Sequence, residues 1–157
     1  METNAHFEEK LRTYMLENNV PGDHLTFAKS TRSVAEAAKA AGVTPQDFVK
    51  NICMIASDGS LIVGIVKGED RVSTSRVAKL LGVAEVRIAT PEEILEKTGF
   101  PCGGTPSYGY PARFLIDERV LQKEIVYTGG GSVNSLVRIL SADLLKANGG
   151  QVVRIRK

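Results

Sequence analysis

The 157-residue chain has no tryptophan, only two cysteines and two histidines, and acids and bases that nearly cancel, leaving a net charge of +2. Cys53 and Cys102, set beside His6 and His24, show no zinc-type spacing, so no metal and no other cofactor is expected. No histidine lies near Cys102 in the sequence, which leaves a thiol nucleophile there without an evident base, and no Ser-His-Asp set is recognisable. A charge of +2 does not by itself mark a nucleic-acid binder. Arg71, Arg76, Arg113, Arg154 and Arg156 are candidates for a local basic rim, although ordinary solvated charge accounts for most such residues. No apolar run approaches the ~20 residues of a membrane span, and the polar start lacks the plan of a signal peptide. A cytoplasmic protein with no membrane partner is the expectation. Repeats, low-complexity tracts and long linkers are also missing, so residues 1–157 are expected to form a single domain, with 1–22 as an N-terminal helical extension.

What the chain does have is a hydrophobic fraction of 43%, enough for a real core at this length, and two glycine-rich segments. The first, 98–112, mixes Gly99, Gly103, Gly104 and Gly109 with Pro101, Pro106 and Pro111. Neither a helix nor a central strand holds that composition, because glycine loses most entropy on ordering and proline removes a ladder donor. It is read either as a shaped loop whose backbone N–H groups meet a ligand or as an ordinary connection with several turns. The second cluster is Gly129, Gly130 and Gly131, followed by Ser132 and Asn134.

The periodicity predicts a helix over 5–18, a strand over 25–28, and a helix over 35–41 capped by Ser33 with Glu36 in a capping box. Strands over 49–56 and 61–66 flank Asp58-Gly59, a strong hairpin signal. A helix capped by Ser73 or Thr74 follows, running to Leu81 with Val77, Leu80 and Leu81 inward. Next come a strand over 83–89 and a helix started by Thr90-Pro91-Glu92-Glu93. Further strands are predicted over 114–117, 121–127, 136–140 and 152–155, with a helical turn at 141–145. Short turns between several strands forbid parallel crossovers there. The fold expected is α/β of the α+β kind: a single mixed, strongly curved sheet with helices packed outside.

With Lys50 and the two glycine segments in this order, the chain resembles the YbaK/EbsC family, the aminoacyl-tRNA deacylase domain also found inserted in bacterial prolyl-tRNA synthetases. The likeness is carried by residues 37–50 (ending Asp47-Phe48-Val49-Lys50), 77–82, Thr98-Gly99-Phe100-Pro101-Cys102-Gly103-Gly104, Leu115-Ile116-Asp117 and Tyr127-Thr128-Gly129-Gly130-Gly131-Ser132. The resemblance implies a sheet curled into a partly closed barrel. It also implies hydrolysis of the ester joining a wrong amino acid to the terminal adenosine of tRNA, often tRNA-Pro, the amino acid being small, such as Ala or Cys. The partner would be the acceptor end of a mischarged tRNA, with an aminoacyl-tRNA synthetase as a second candidate.

Lys50 would be the family lysine and Gly103 the start of its glycine motif, making Lys50, Gly103 and Gly104 the candidate catalytic positions. Asn51, Thr105, Pro106, Ser107, Asp117, Gly130 and Ser132 are the candidate substrate-binding positions. Bottom-up, an aminoacyl ester is already activated, so positioning, a water and backbone N–H groups at the developing oxyanion suffice. Bland readings stand beside these. Lys50 is otherwise an edge lysine, Asp117 either orients Lys50 or anchors a strand-to-turn junction, and Ser132 and Asn134 are otherwise turn residues. The sequence departs from the family in two places. The motif's proline would fall at 107, where Ser107 stands with Pro106 one step early, and an aspartate common after the second glycine segment has no counterpart near 134–136. The shifted proline favours a competing reading, a catalytically silent module that binds tRNA, a nucleotide or a synthetase. A third reading is a thiol protein acting through Cys102.

Overall fold

The computed structural model describes residues 3–157. Its strands are β1 (Asp23–Thr26), β2 (Val49–Ala56), β3 (Leu61–Lys67), β4 (Val86–Ile88), β5 (Arg113–Ile116), β6 (Ile125–Gly129), β7 (Ser135–Leu140) and β8 (Gln151–Val152). The helices are α1 (Asn4–Glu17), α2 (Val34–Ala41), α3 (Thr74–Leu81), α4 (Pro91–Thr98) and α5 (Ser141–Asn148).

The mixed α/β character holds, but one sheet becomes two. An antiparallel sheet runs β1-β7-β6, and a mixed five-stranded sheet runs β4-β2-β3-β5-β8. In the second, β2 pairs antiparallel with β3 and β4, while β3–β5 and β5–β8 are parallel. The two sheets meet at a single bridge, Phe48 to Tyr127, so no closed barrel forms among the described residues. Along the outer edge of β2, β4 covers only Met54–Ala56, and over 49–52 the link to β6 runs through side chains, Asn51 Nδ2 donating to Thr128 Oγ1.

Period-two alternation sends Val49, Cys53 and Ile55 of β2 into the larger core, while Met54 and Ala56 pack with Val77 and Ala78 of α3. All seven residues of β3 are buried, as a central strand requires. Phe7, Leu11 and Met15 of α1 enter the larger core beside Phe100 and Tyr108, so the N-terminal helix is part of the packing.

The turn chemistry explains most boundaries. Gly59, at φ +88°, closes the β2–β3 hairpin with its N–H on the Ala56 carbonyl. The Thr90 hydroxyl accepts from the Glu93 amide, and Glu93 accepts from the Thr90 amide, completing a capping box on α4. Three expectations need correction. Leu80 is exposed, because α3 turns Val77 and Ala78 inward. The strand predicted over 121–127 begins only at Ile125, since the Asp117 carboxylate accepts from the Arg119 amide and starts a 3₁₀ turn over Glu118–Gln122. The last strand stops at Val152, because Asp117 also takes the Ile155 amide.

Candidate functional site

Between the open edge of β2, the first glycine segment, β6 and the start of α2 lies a cavity of about 420 Å³. Lys50, Asn51, Gly103 and Thr105 line it, so residues some fifty positions apart converge there. Lys50 and Asn51 point to opposite faces of β2, and both border the cavity because it lies off the strand's uncovered edge.

Asn51 organises one side. Its Nδ2 donates to the Thr105 carbonyl at 2.9 Å and to Thr128 Oγ1 at 3.0 Å. Ser107 Oγ donates to Asn51 Oδ1 at 2.7 Å, and the Ser107 and Thr128 hydroxyls are 2.7 Å apart. With Thr128 donating to Ser107, the three side chains close a ring in which every donor has an acceptor, the condition under which a buried polar network rigidifies its surroundings. The ring ties β2, the first glycine segment and β6 together.

That segment is also braced from within. Gly104 N–H and Thr105 Oγ1 both donate to the Pro101 carbonyl at 3.0 Å, and Tyr110 OH donates to the Pro106 carbonyl at 2.6 Å. The Gly104 amide is therefore spent on a turn. The amides of Gly103 and Thr105, two residues that line the cavity, donate to no other described residue. Gly103 has φ +89°, and Arg32 lies across it: a Cβ there would come within 2.6 Å of Arg32 Cγ.

The two glycine segments meet backbone to backbone. Gly131 N–H donates to the Gly104 carbonyl at 2.8 Å, and a Cβ on Gly104 would lie 2.5 Å from the Ser132 carbonyl carbon. A Cβ on Gly129 would strike the Thr105 carbonyl. Their lack of a side chain serves close packing of one loop on the other.

Lys50 is half-buried, and its ammonium forms no hydrogen bond or ion pair with the described residues. Burial lowers its pKa, the Arg71 charge adds to the effect, and the Asp70 carboxylate opposes it. Asp70 accepts from Arg119 at 2.8 Å through Oδ1, while its Oδ2 is buried without a partner.

Asp117 lies elsewhere. Its Oδ1 accepts from the Ile155 and Arg156 amides at 2.9 and 3.0 Å, and its Oδ2 accepts from the Arg119 amide at 3.1 Å and Arg156 Nη1 at 2.9 Å. Burial pushes its carboxyl upward, but these donors outweigh burial and hold it below the usual range. Asp117 anchors a junction and makes no hydrogen bond or ion pair to Lys50.

Ser132, Gly130 and Pro106 also fall outside the cavity lining. Ser132 Oγ donates to Glu8 Oε2 of α1 at 2.7 Å and contacts Ser135 Oγ at 2.7 Å, and Gly130 packs against Ser135 and Leu136. Ser107 reaches the cavity only through Asn51 and Thr128.

Arg32, Thr128 and Ile94 line the cavity without having been singled out in the sequence. Thr128 sits inside the segment that carried the family likeness, whereas nothing in the sequence distinguishes Arg32 from a solvated arginine. Cys102 is exposed at the cavity. Cys53 is buried, which pushes its thiol up to about 12, with the Cys102 charge adding to the effect. No group of three or more His, Cys, Asp or Glu side chains able to hold a metal occurs among the described residues, and no helix there is long and apolar enough to cross a membrane.

Known proteins are similar to this chain. The proline–tRNA ligase of Desulfotalea psychrophila is 30% identical over 92 residues, 59% of this chain and 16% of the ligase. The chain thus spans about one sixth of the ligase it matches. The Bacillus subtilis protein YwhH is 23% identical over 138 residues, 87% of each chain. The crystal structure of a candidate trans-editing enzyme for prolyl tRNA synthetase superposes with a TM-score of 0.89 at 28% identity, covering 100% of this chain and 99% of that one. Residues 28–147, which contain the cavity lining, match the profile of the aminoacyl-tRNA editing domain, and the chain belongs to that family.

Proposed function

We propose that the chain acts in trans as a deacylase of mischarged tRNA, releasing a small amino acid such as alanine or cysteine, with tRNA-Pro the first substrate to test. The observation that carries the reading is the meeting of the Lys50 ammonium with the unpartnered amides of Gly103 and Thr105 on one cavity. At about 420 Å³ the cavity sits toward the small end of the ~300–1,000 Å³ range of ligand sites, which suits a nucleoside carrying a short side chain. The relation to prolyl-tRNA synthetase of the matched ligase and trans-editing enzyme supports the choice of tRNA.

In this reading water adds to the ester carbonyl and the carbonyl oxygen becomes an oxyanion facing the Gly103 and Thr105 amides. Collapse breaks the bond to the ribose oxygen, which takes up a proton, and frees the amino acid. Neither histidine borders the cavity, so proton transfer falls to the substrate's own hydroxyl or amine and to water. Lys50 supplies positive charge to the terminal phosphate, the ribose or the developing oxyanion. The Ser107–Asn51–Thr128 ring favours an enzyme over a silent module, because it braces the loop where the family proline is absent.

A panel of mischarged tRNAs tests this. At least one amino acid is released faster than in buffer, and Lys50→Ala slows release by on the order of a hundredfold, the scale of a lost charge-stabilising group. No release from any member of the panel, or undiminished release by Lys50→Ala, overturns it.

A further inference from the structure

A second hollow, of about 580 Å³, lies next along the chain from the first. Residues 27–30 and the outer face of α2 form it, while residues 31–34 and Ala37 line the first cavity, so the two open on either side of one turn. Glu36 and Lys39 lie three residues apart and share a helix face, turned away from Ala37 by the helical step. Phe27 is half-buried, packed on the Ala37, Ala38, Phe48 and Leu136 cluster and bordering the hollow. Lys29 and Lys39 are exposed, and neither forms an ion pair with the described residues. Among the described residues the Glu36 carboxylate accepts only from the Ser33 hydroxyl, at 3.3 Å.

An aromatic side chain, two cations without an ion pair among the described residues and one carboxylate thus line a hollow beside the candidate catalytic cavity. They match the parts of a single nucleotide. An aromatic ring stacks a base regardless of its identity, and ammonium groups take a phosphate. A carboxylate is the acceptor suited to the exocyclic amine of cytosine, which uracil lacks.

We propose that this hollow is a subsite for the single-stranded cytidine preceding the terminal adenosine of the RNA. Its base rests on Phe27 with the amine toward Glu36, and its phosphate is held by Lys29 and Lys39. The inference rests on the function proposed above, because a terminal adenosine in the first cavity puts the preceding nucleotide next to it. The subsite lets the protein recognise any tRNA through its common single-stranded end and leaves the amino acid to the first cavity.

The test measures fluorescence anisotropy of the full chain with 5′-labelled, uncharged RNA hairpins ending in ACCA or ACUA, over a salt series. Wild type prefers ACCA. Lys29→Ala with Lys39→Ala weakens binding about tenfold at low salt and flattens the salt dependence. Phe27→Leu, which keeps an apolar side chain on the core cluster, weakens binding about tenfold through lost stacking. Glu36→Gln reduces the preference for ACCA over ACUA without abolishing binding. If wild type hydrolyses a mischarged tRNA but these variants bind both hairpins as wild type does, the subsite is wrong and the deacylase reading stands. If wild type neither binds ACCA nor releases any amino acid, both fall.

Discussion

Replacing Asp117 by asparagine separates an anchoring role from a substrate-binding one. The carboxylate receives four hydrogen bonds, two on each oxygen, three from backbone amides and one from the Arg156 guanidinium. Asparagine keeps the shape but turns one oxygen into an NH₂ group, so whichever way it settles, two donors face a donor. An unsatisfied buried donor costs about 1–3 kcal/mol, more when charge is involved, which puts Asp117→Asn at about 4 kcal/mol. For a chain of this size each kcal/mol moves Tm by about 2–4 °C, so a drop of about 12 °C is expected.

The pH dependence has a definite sign. The folded carboxyl titrates below its unfolded value, so its contribution is complete above the unfolded pKa near ~3.9 and is lost as pH falls through the folded pKa. The stability gap between wild type and variant is therefore full at neutral pH and narrows in acid. Urea denaturation followed by circular dichroism at pH 7 and pH 3, with unchanged m-values, measures both quantities. A gap under about 1 kcal/mol at pH 7, or a folded variant of wild-type stability that has lost deacylation, refutes the anchoring argument.

Gly129→Ala drives a methyl group into the Thr105 carbonyl and is expected to destabilise by about 3 kcal/mol or block folding, visible as a lost cooperative transition. Ser107→Ala opens the Asn51 ring and leaves the Asn51 oxygen and Thr128 hydroxyl each short of a partner, costing about 2 kcal/mol in urea titration and slowing deacylation through the loosened loop. Thr90→Ala removes one half of the α4 capping box and costs about 1 kcal/mol, read as a Tm lower by about 3 °C with activity retained.

Much of the fold was legible because it is written locally. Asp58-Gly59 between apolar runs announced the β2–β3 hairpin, and Thr90-Pro91 announced α4, because turn and cap preferences act over a few residues. The splitting of the sheet was not legible, since it depends on β2 and β6 pairing only at the Phe48–Tyr127 bridge, a matter of long-range pairing. The end of β8 was hidden for a similar reason, because a carboxylate 38 residues away captures the Ile155 amide. At the cavity, Lys50, Asn51, Gly103 and Thr105 were named from the sequence and are brought together. Arg32 was missed because only its position across Gly103 sets it apart. Ser132 reads from the sequence either as a pocket residue or as a turn residue, and only its contacts with Glu8 and Ser135, 124 and 3 positions away, place it outside the cavity lining.

The placement of α1 bears on how this fold is to be cut and transplanted. The profile of the family begins at residue 28, which invites trimming to that point. Such a fragment would strip Leu11 and Met15 from above Phe100 and Tyr108 and remove the acceptor of the Ser132 hydroxyl, Glu8. Grafts into a larger synthetase should therefore carry the first seventeen residues along, or supply another amphipathic segment to roof that opening.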